Sequence, residues 1–254
     1  MKFLALFAGI FLTGVMMGSA EEKAGKVFEL RTYWAAPGKL EELSGRFRDH
    51  TLALFTKHGV TNLGYWMPVE NTENQLIYLL AYPSREARDA SWKALMADAD
   101  WQKVFAASEA KGKLVVKSEA IFMKATDFSP EGKLAAGEDG GIFELRTYTA
   151  TPGNLPGLLD RFREHTLDFF MKHGMKSLWY WELAKGQAGA ENTLVYLLAH
   201  PSLDSATASW AAFRADPGWV EAKAASEKKG GGSLTAVNGV KSVMLKATDY
   251  SPLK

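Results

Sequence analysis

The sequence contains no cysteine, which excludes disulfides, a thiolate nucleophile, thiolate metal ligation and a lipid anchor attached through cysteine. Nor is there an excess of charge of either sign. The 30 Lys and Arg face 29 Asp and Glu, so nothing favours nucleic acid or an anionic surface as a partner. There is no GxGxxG turn, GxxxxGK(S/T) loop, GxSxG elbow, EF-hand loop or HExxH pair. Hydride transfer through a dinucleotide, phosphoryl transfer and ordinary serine hydrolysis lose their support with them, and neither a cofactor nor a metal is expected. Long apolar runs are missing too, except at the start. There MKFLALFAGIFLTGVMMGSA carries Lys2, an apolar run from Phe3 to Met17, and the small residues Gly18, Ser19 and Ala20. The run falls short of the roughly 20 residues that span a bilayer. The pattern predicts a secretory signal peptide over residues 1–20, cleaved after Ala20, and a periplasmic or secreted mature protein with no membrane segment.

What the chain has in abundance is itself. The phrase "FELRTYWAAPG" (Phe28–Gly38) returns as "FELRTYTATPG" (Phe143–Gly153), and "RFRDHTLALFTKHG" (Arg46–Gly59) returns as "RFREHTLDFFMKHG" (Arg161–Gly174). Tyr65-Trp66 matches Tyr180-Trp181, "IYLLAYPS" from Ile77 matches "VYLLAHPS" from Val195, and "KATDFSP" from Lys124 matches "KATDYSP" from Lys246. A repeat this long marks a duplicated domain, not a solenoid. The reading is a first domain over residues 26–128, a linker over 129–141 rich in Gly, Ala and charge, and a second domain over 142–250.

Each copy has one order of elements. Val27 to Trp34 is a short alternating strand ended by Pro37-Gly38. Leu40, Leu43, Phe47, Leu54 and Phe55 recur at helical steps over residues 39–57, with Gly59 at the C-terminal cap. Leu63 to Val69 and Leu76 to Tyr82 flank the turn "ENTEN" as a hairpin. Ser84 caps a second helix interrupted at Asp98 to Asp100, and a last strand covers 118–125. The predicted fold is α+β: two tandem ferredoxin-like βαββαβ units, each with one sheet face bare. Packed sheet to sheet, they close eight strands into an intrachain α/β barrel, filled by side chains or holding one small ligand.

These repeated motifs, with "SWKALMADADWQKV" and "SWAAFRADPGWVEA", resemble the NIPSNAP family, whose domain belongs to the dimeric α/β-barrel superfamily. The resemblance covers nearly all the mature chain in two copies and implies the fold without implying a reaction. Relatives in the wider superfamily include cofactor-free monooxygenases, haem-handling proteins and isomerases that use the barrel interior.

Strand alternation nominates the candidate functional residues. If Phe28, Leu30 and Thr32 meet the helices, then Glu29, Arg31 and Tyr33, with Glu144, Arg146 and Tyr148, point toward the barrel interior or its rim. There they form either cross-sheet ion pairs that set register or a polar anchor in which an arginine holds a ligand carboxylate. His50 and His165, on the shoulder of the helical stripe, are candidate general bases reaching a sheet cavity. The repeated "KHG" of His58 and His173 reads instead as Lys and His meeting the last helical carbonyls. Trp66, Trp92 and Trp101 match Trp181, Trp210 and Trp219 and read as core, whereas Trp179 stands opposite Gly64 and predicts a roomier pocket in the first copy. The function expected is binding of a small apolar or aromatic molecule in or beside the barrel, by a monomer or homo-oligomer. The alternatives are a cofactor-free oxygenase or isomerase, and a protein-interaction module with a filled barrel.

Overall fold

The computed structural model describes residues 25–133 and 141–254; the expected signal peptide and most of the expected linker lie outside them. The first half runs β1 (Val27–Ala35), α1 (Leu40–Arg46), a π-helical turn (Phe47–Thr51), α2 (Leu52–Lys57), β2 (Thr61–Pro68), β3 (Gln75–Tyr82), α3 (Arg85–Ala97), α4 (Ala99–Glu109) and β4 (Val115–Ala125). The second repeats it as β5 (Ile142–Ala150), α5 (Leu155–Arg161), a π-helical turn (Phe162–Thr166), α6 (Leu167–Lys172), β6 (Lys176–Leu183), β7 (Thr193–His200), α7 (Leu203–Ala215), α8 (Pro217–Lys229) and β8 (Thr235–Ala247).

Local chemistry sets the boundaries. Ser84 and Ser202 hold extended backbone and accept from the amides of Ala87 and Ser205, as N-caps do. Asp98 and Asp216 cap α4 and α8 in the same way, which is why the second helix of each unit is split. Gly59 and Gly174 end the first helices at φ +76 and +74, where a side chain is strained.

The eight strands form one closed antiparallel barrel in the order β1-β3-β2-β8-β5-β7-β6-β4. The closing ladders are short: Trp66 to Pro68 pair with Ala247 to Leu245, and Met123 to Ala125 pair with Leu183 to Trp181. Each half thus has its sheet edges covered by the other. The repeated "KATD(F/Y)SP" tails complete the exchange. Tyr250 packs at 5.7 Å from Tyr65, and Arg48 forks onto Asp249. Symmetrically, Phe128 packs at 5.6 Å from Tyr180, and Arg163 forks onto Asp127. Ser251 and Ser129 accept from the backbone amides of Tyr65 and Tyr180, each at 2.9 Å.

The barrel interior is filled. Phe28, Leu30, Trp66, Leu79, Met123, Phe143, Trp179, Trp181, Leu197 and Leu245 form one buried cluster, with Trp66 against Phe143 and Trp181 against Phe28. The expected extra room beside Gly64 is absent, because a β-carbon there would stand 2.1 Å from the Trp66 ring. Trp179 instead stacks on Trp181 at 5.7 Å. Two further clusters, around Phe47, Tyr65 and Tyr78 and around Phe162, Tyr180 and Tyr196, join each sheet to its helices.

Candidate ligand clefts beneath the helices

Because Phe28 and Leu30 face the barrel interior, alternation sends Glu29, Arg31 and Tyr33, and Glu144, Arg146 and Tyr148, outward beneath the helices. This reverses the expected orientation. The physical reason is that the closed interior is the drier side, with no polar partners, whereas the helix layer brings the tyrosines, tryptophans and Arg88 that such groups require. The ion pairs do not cross between sheets either: Arg31 and Arg146 donate to the carboxylates two residues earlier on their own strands.

Glu29 is fully buried, and its oxygens also accept from Arg88 at 2.8 and 3.0 Å and from the Tyr82 hydroxyl at 3.0 Å. Burial by itself would raise its pKa, but the hydrogen bonds and charges of Arg88 and Arg31 bring it below the ordinary carboxyl value. Arg31 in turn donates to Tyr78 and Tyr33 and lies 4.5 Å from the Trp92 ring centre. In the second half, Glu144 accepts from Ser242 at 2.6 Å and Trp210 at 2.7 Å, and its oxygen lies 2.9 Å from His200 Nε2. Here too burial opposes the charge, yet the His200 bond and Arg146 hold the carboxyl at about 2. All three nitrogens of Arg31 thus meet protein oxygens, whereas Arg146 donates through Nη1 and Nη2 to Glu144 and Tyr148 and keeps its buried Nε without a partner.

Next to these clusters each half opens a cleft between sheet and helices. The first, about 570 Å³, is walled by Tyr33, Phe47, Trp92, Trp101 and Phe105, with Arg46 and Thr51 projecting from the π-helical turn and the residue before it. The second, about 530 Å³, is walled by Tyr148, Phe162, Trp210, Phe213 and Trp219, with Arg161 and Thr166 at the same places. The extra residue of a π turn rotates the next helical turn about the axis, and here Thr51 and Thr166 reach back to the carbonyls of Arg46 and Arg161, each at 3.1 Å. Arg46 lies 5.7 Å from the Trp101 ring centre and Arg161 5.6 Å from that of Trp219. Sequence reasoning passed over these arginines as cleft residues. The available signal was a cation next to the apolar stripe position of Phe47 and Phe162 in both copies.

The candidate bases are elsewhere. His50 and His165 stand in outer grooves between α1 and α4 and between α5 and α8, exposed and partly exposed respectively, and do not reach the clefts or the barrel interior. An outward position on the helix, one turn beyond the arginine, is the cause. His58 and His173 do not meet helical carbonyls through their side chains but lie 2.7 and 2.8 Å from the capping carboxylates Asp98 and Asp216, which Lys57 and Lys172 also approach. These contacts hold both aspartates well below the ordinary carboxyl value. Among the described residues no cluster of three or more His, Asp or Glu is placed to hold a metal.

The NIPSNAP family model matches residues 28–130 and 143–252. The chain is 26% identical to mouse Protein NipSnap homolog 3B over 231 residues, covering 91% of this chain and 87% of that one. Among solved structures, a Lactobacillus acidophilus protein provisionally named a monooxygenase aligns over 88% of this chain and 94% of its own, at TM-score 0.54 and 10% identity. An anthrone oxidase-like protein aligns over 89% and 92%, at TM-score 0.55 and 10% identity. At such identity these two attest the fold alone. The chain belongs to the NIPSNAP family, with two tandem domains closed into one α/β barrel.

Proposed function

We propose that this NIPSNAP chain binds small aromatic or apolar molecules in the two clefts beneath its helices, beside the barrel and not inside it. One observation carries the reading: the same aromatic-walled cleft, entered by an arginine and a threonine that flank a π-helical turn, is built in both halves. Concave, mostly aromatic sites with a few convergent polar groups are the ordinary form of a ligand pocket, and π turns concentrate at functional sites. Apolar side chains continue to the rims, with Met96 and Phe105 on the first and Val220 and Val240 on the second. A protein-interaction role with a filled barrel has the packed interior in its favour but leaves the twin clefts unexplained. The anthrone oxidase-like fold neighbour prompts an oxygenase reading, yet that reading needs a base, and the histidines nominated for it face the outer grooves.

Fluorescence titration of the protein with 1-naphthol tests the proposal. Up to two equivalents should bind, with Trp101→Ala weakening one and Trp219→Ala the other by at least about tenfold, the worth of one lost aromatic contact. Absence of saturable binding, or binding insensitive to both substitutions, would sink it.

A further inference from the structure

The two clefts share a plan but differ in charge. In the first, Arg46 donates through Nη1 to Ser108 at 3.1 Å and Glu109 at 3.3 Å, while its buried Nε has no partner. In the second, Arg161 is 5% exposed, and both its Nε and its Nη1 have no hydrogen-bond partner; the carboxylate of Glu227 stands 3.8 Å away. Burial, the dominant influence, lowers the Arg161 pKa from its ordinary value, and Glu227 compensates only in part. A guanidinium with unspent donors inside a walled cleft is half of a charge-assisted, fork-like contact. The rim supplies more of the same sign: the first cleft has Lys113 beside it, whereas in the second, aligning "SWKALMADADWQKVF" with "SWAAFRADPGWVEAK" puts Arg214 where the first half has Met96, and Lys223 where it has Phe105. Lys223 lies 3.7 Å from Glu227, which leaves Arg161 and Arg214 in excess.

We infer that the second cleft takes small aromatic or apolar carboxylic acids, with Arg161 receiving the carboxylate, while the first takes neutral molecules. The inference rests on the reading of the clefts as ligand sites and adds the chemical class that one of them selects. The ring would lie among Trp210, Phe213 and Trp219, and the carboxylate would accept from the side-on fork of the Arg161 guanidinium, its unsatisfied Nε together with Nη2.

Calorimetric titration with benzoate, cinnamate and indole-3-acetate, each set against its neutral amide, decides it. Indole-3-acetate or one of its companions should bind at one equivalent at least about tenfold more tightly than its amide. That preference should vanish in Arg161→Met, survive in reduced form in Arg161→Lys, and be unchanged in Arg46→Met. If Arg161→Met does not fold, the Arg161→Lys variant and the acid-to-amide ratio of the unaltered protein carry the test. Acid and amide binding alike, or an acid preference that persists in full in a folded Arg161 variant, overturns the inference while leaving the cleft reading intact. Failure of every acid and amide, together with failure of 1-naphthol, overturns both.

Discussion

Glu29 and Glu144 occupy the same position in two copies of one phrase, yet the two halves compensate them by different means. The first half sets two guanidiniums, Arg31 and Arg88, against one carboxylate, with a tyrosine hydroxyl completing the shell. The second has Ala206 where Arg88 stands, and draws on Ser242, Trp210 and His200 around a single guanidinium. The difference teaches that what both copies retain is a buried, satisfied carboxylate tying β1 or β5 to the helix layer. The donors that satisfy it are free to change, since a buried carboxylate needs its acceptor sites filled more than it needs any one partner.

The sharpest way to break that comparison is to remove each carboxylate's charge. Glu29→Gln leaves Arg31 without a counter-charge and Arg88 with Asp89 alone, and should lower the free energy of unfolding by about 3–5 kcal/mol. Glu144→Gln strands one arginine among neutral donors and should cost about 2–3 kcal/mol. Denaturant melts of the two variants measure this, and equal losses would show that Arg88 adds nothing to the first cluster.

Acid sharpens the second cluster. The Glu144 carboxyl sits at about 2 in the folded chain against an ordinary 4.5. A depressed carboxyl contributes stability that is fully present above its unfolded value and disappears as the pH falls through the folded one. Thermal melts from pH 6 to pH 2 should therefore lose about 3 kcal/mol from this site, almost all of it between pH 4.5 and 2. In Glu144→Gln that part of the acid loss should be missing.

The smallest effect lies at Ser242, which hydrogen-bonds Glu144 at 2.6 Å and corresponds to Ala120 in the first half. Ser242→Ala should cost about 1–2 kcal/mol in the same denaturant melts, the worth of one hydrogen bond to a charged group. Ala120→Ser should give no matching gain, because Arg88 already fills that side of Glu29; a gain as large as the loss would mean that the shell around Glu29 is incomplete.

Much of the fold was legible because its signals are local. The strand of the repeated phrase, the hairpin, the Ser84 cap and the break at Asp98 all depend on periodicity and turn chemistry within a few residues. Strand alternation also separated Phe28 and Leu30 correctly from Glu29 and Arg31, but it could not say which set faces the helices. That choice depends on Tyr78, Tyr82 and Trp92, which approach from far along the chain to meet Arg31 and Glu29. The π turns were illegible for a related reason. The step from Phe47 to Leu54 and Phe55 fits an unbroken helix, and what marks the extra residue is the backbone bond from the Leu52 amide to the Phe47 carbonyl five residues back.

By itself, then, the sequence determined the duplication, the order of elements in each copy, and the closure of two half-bare sheets on each other, since an apolar sheet face must be covered and here the cover is a second copy of the same unit. Tertiary structure alone decided that the tails cross between halves, that tryptophans fill the barrel, and that the twin aromatic clefts lie under the helices. It also decided that Arg46 is tied to Ser108 and Glu109 while Arg161 keeps its donors unspent. Each of these is settled by which distant side chains compete for one volume or one hydrogen bond, and no periodicity in a single segment carries that information.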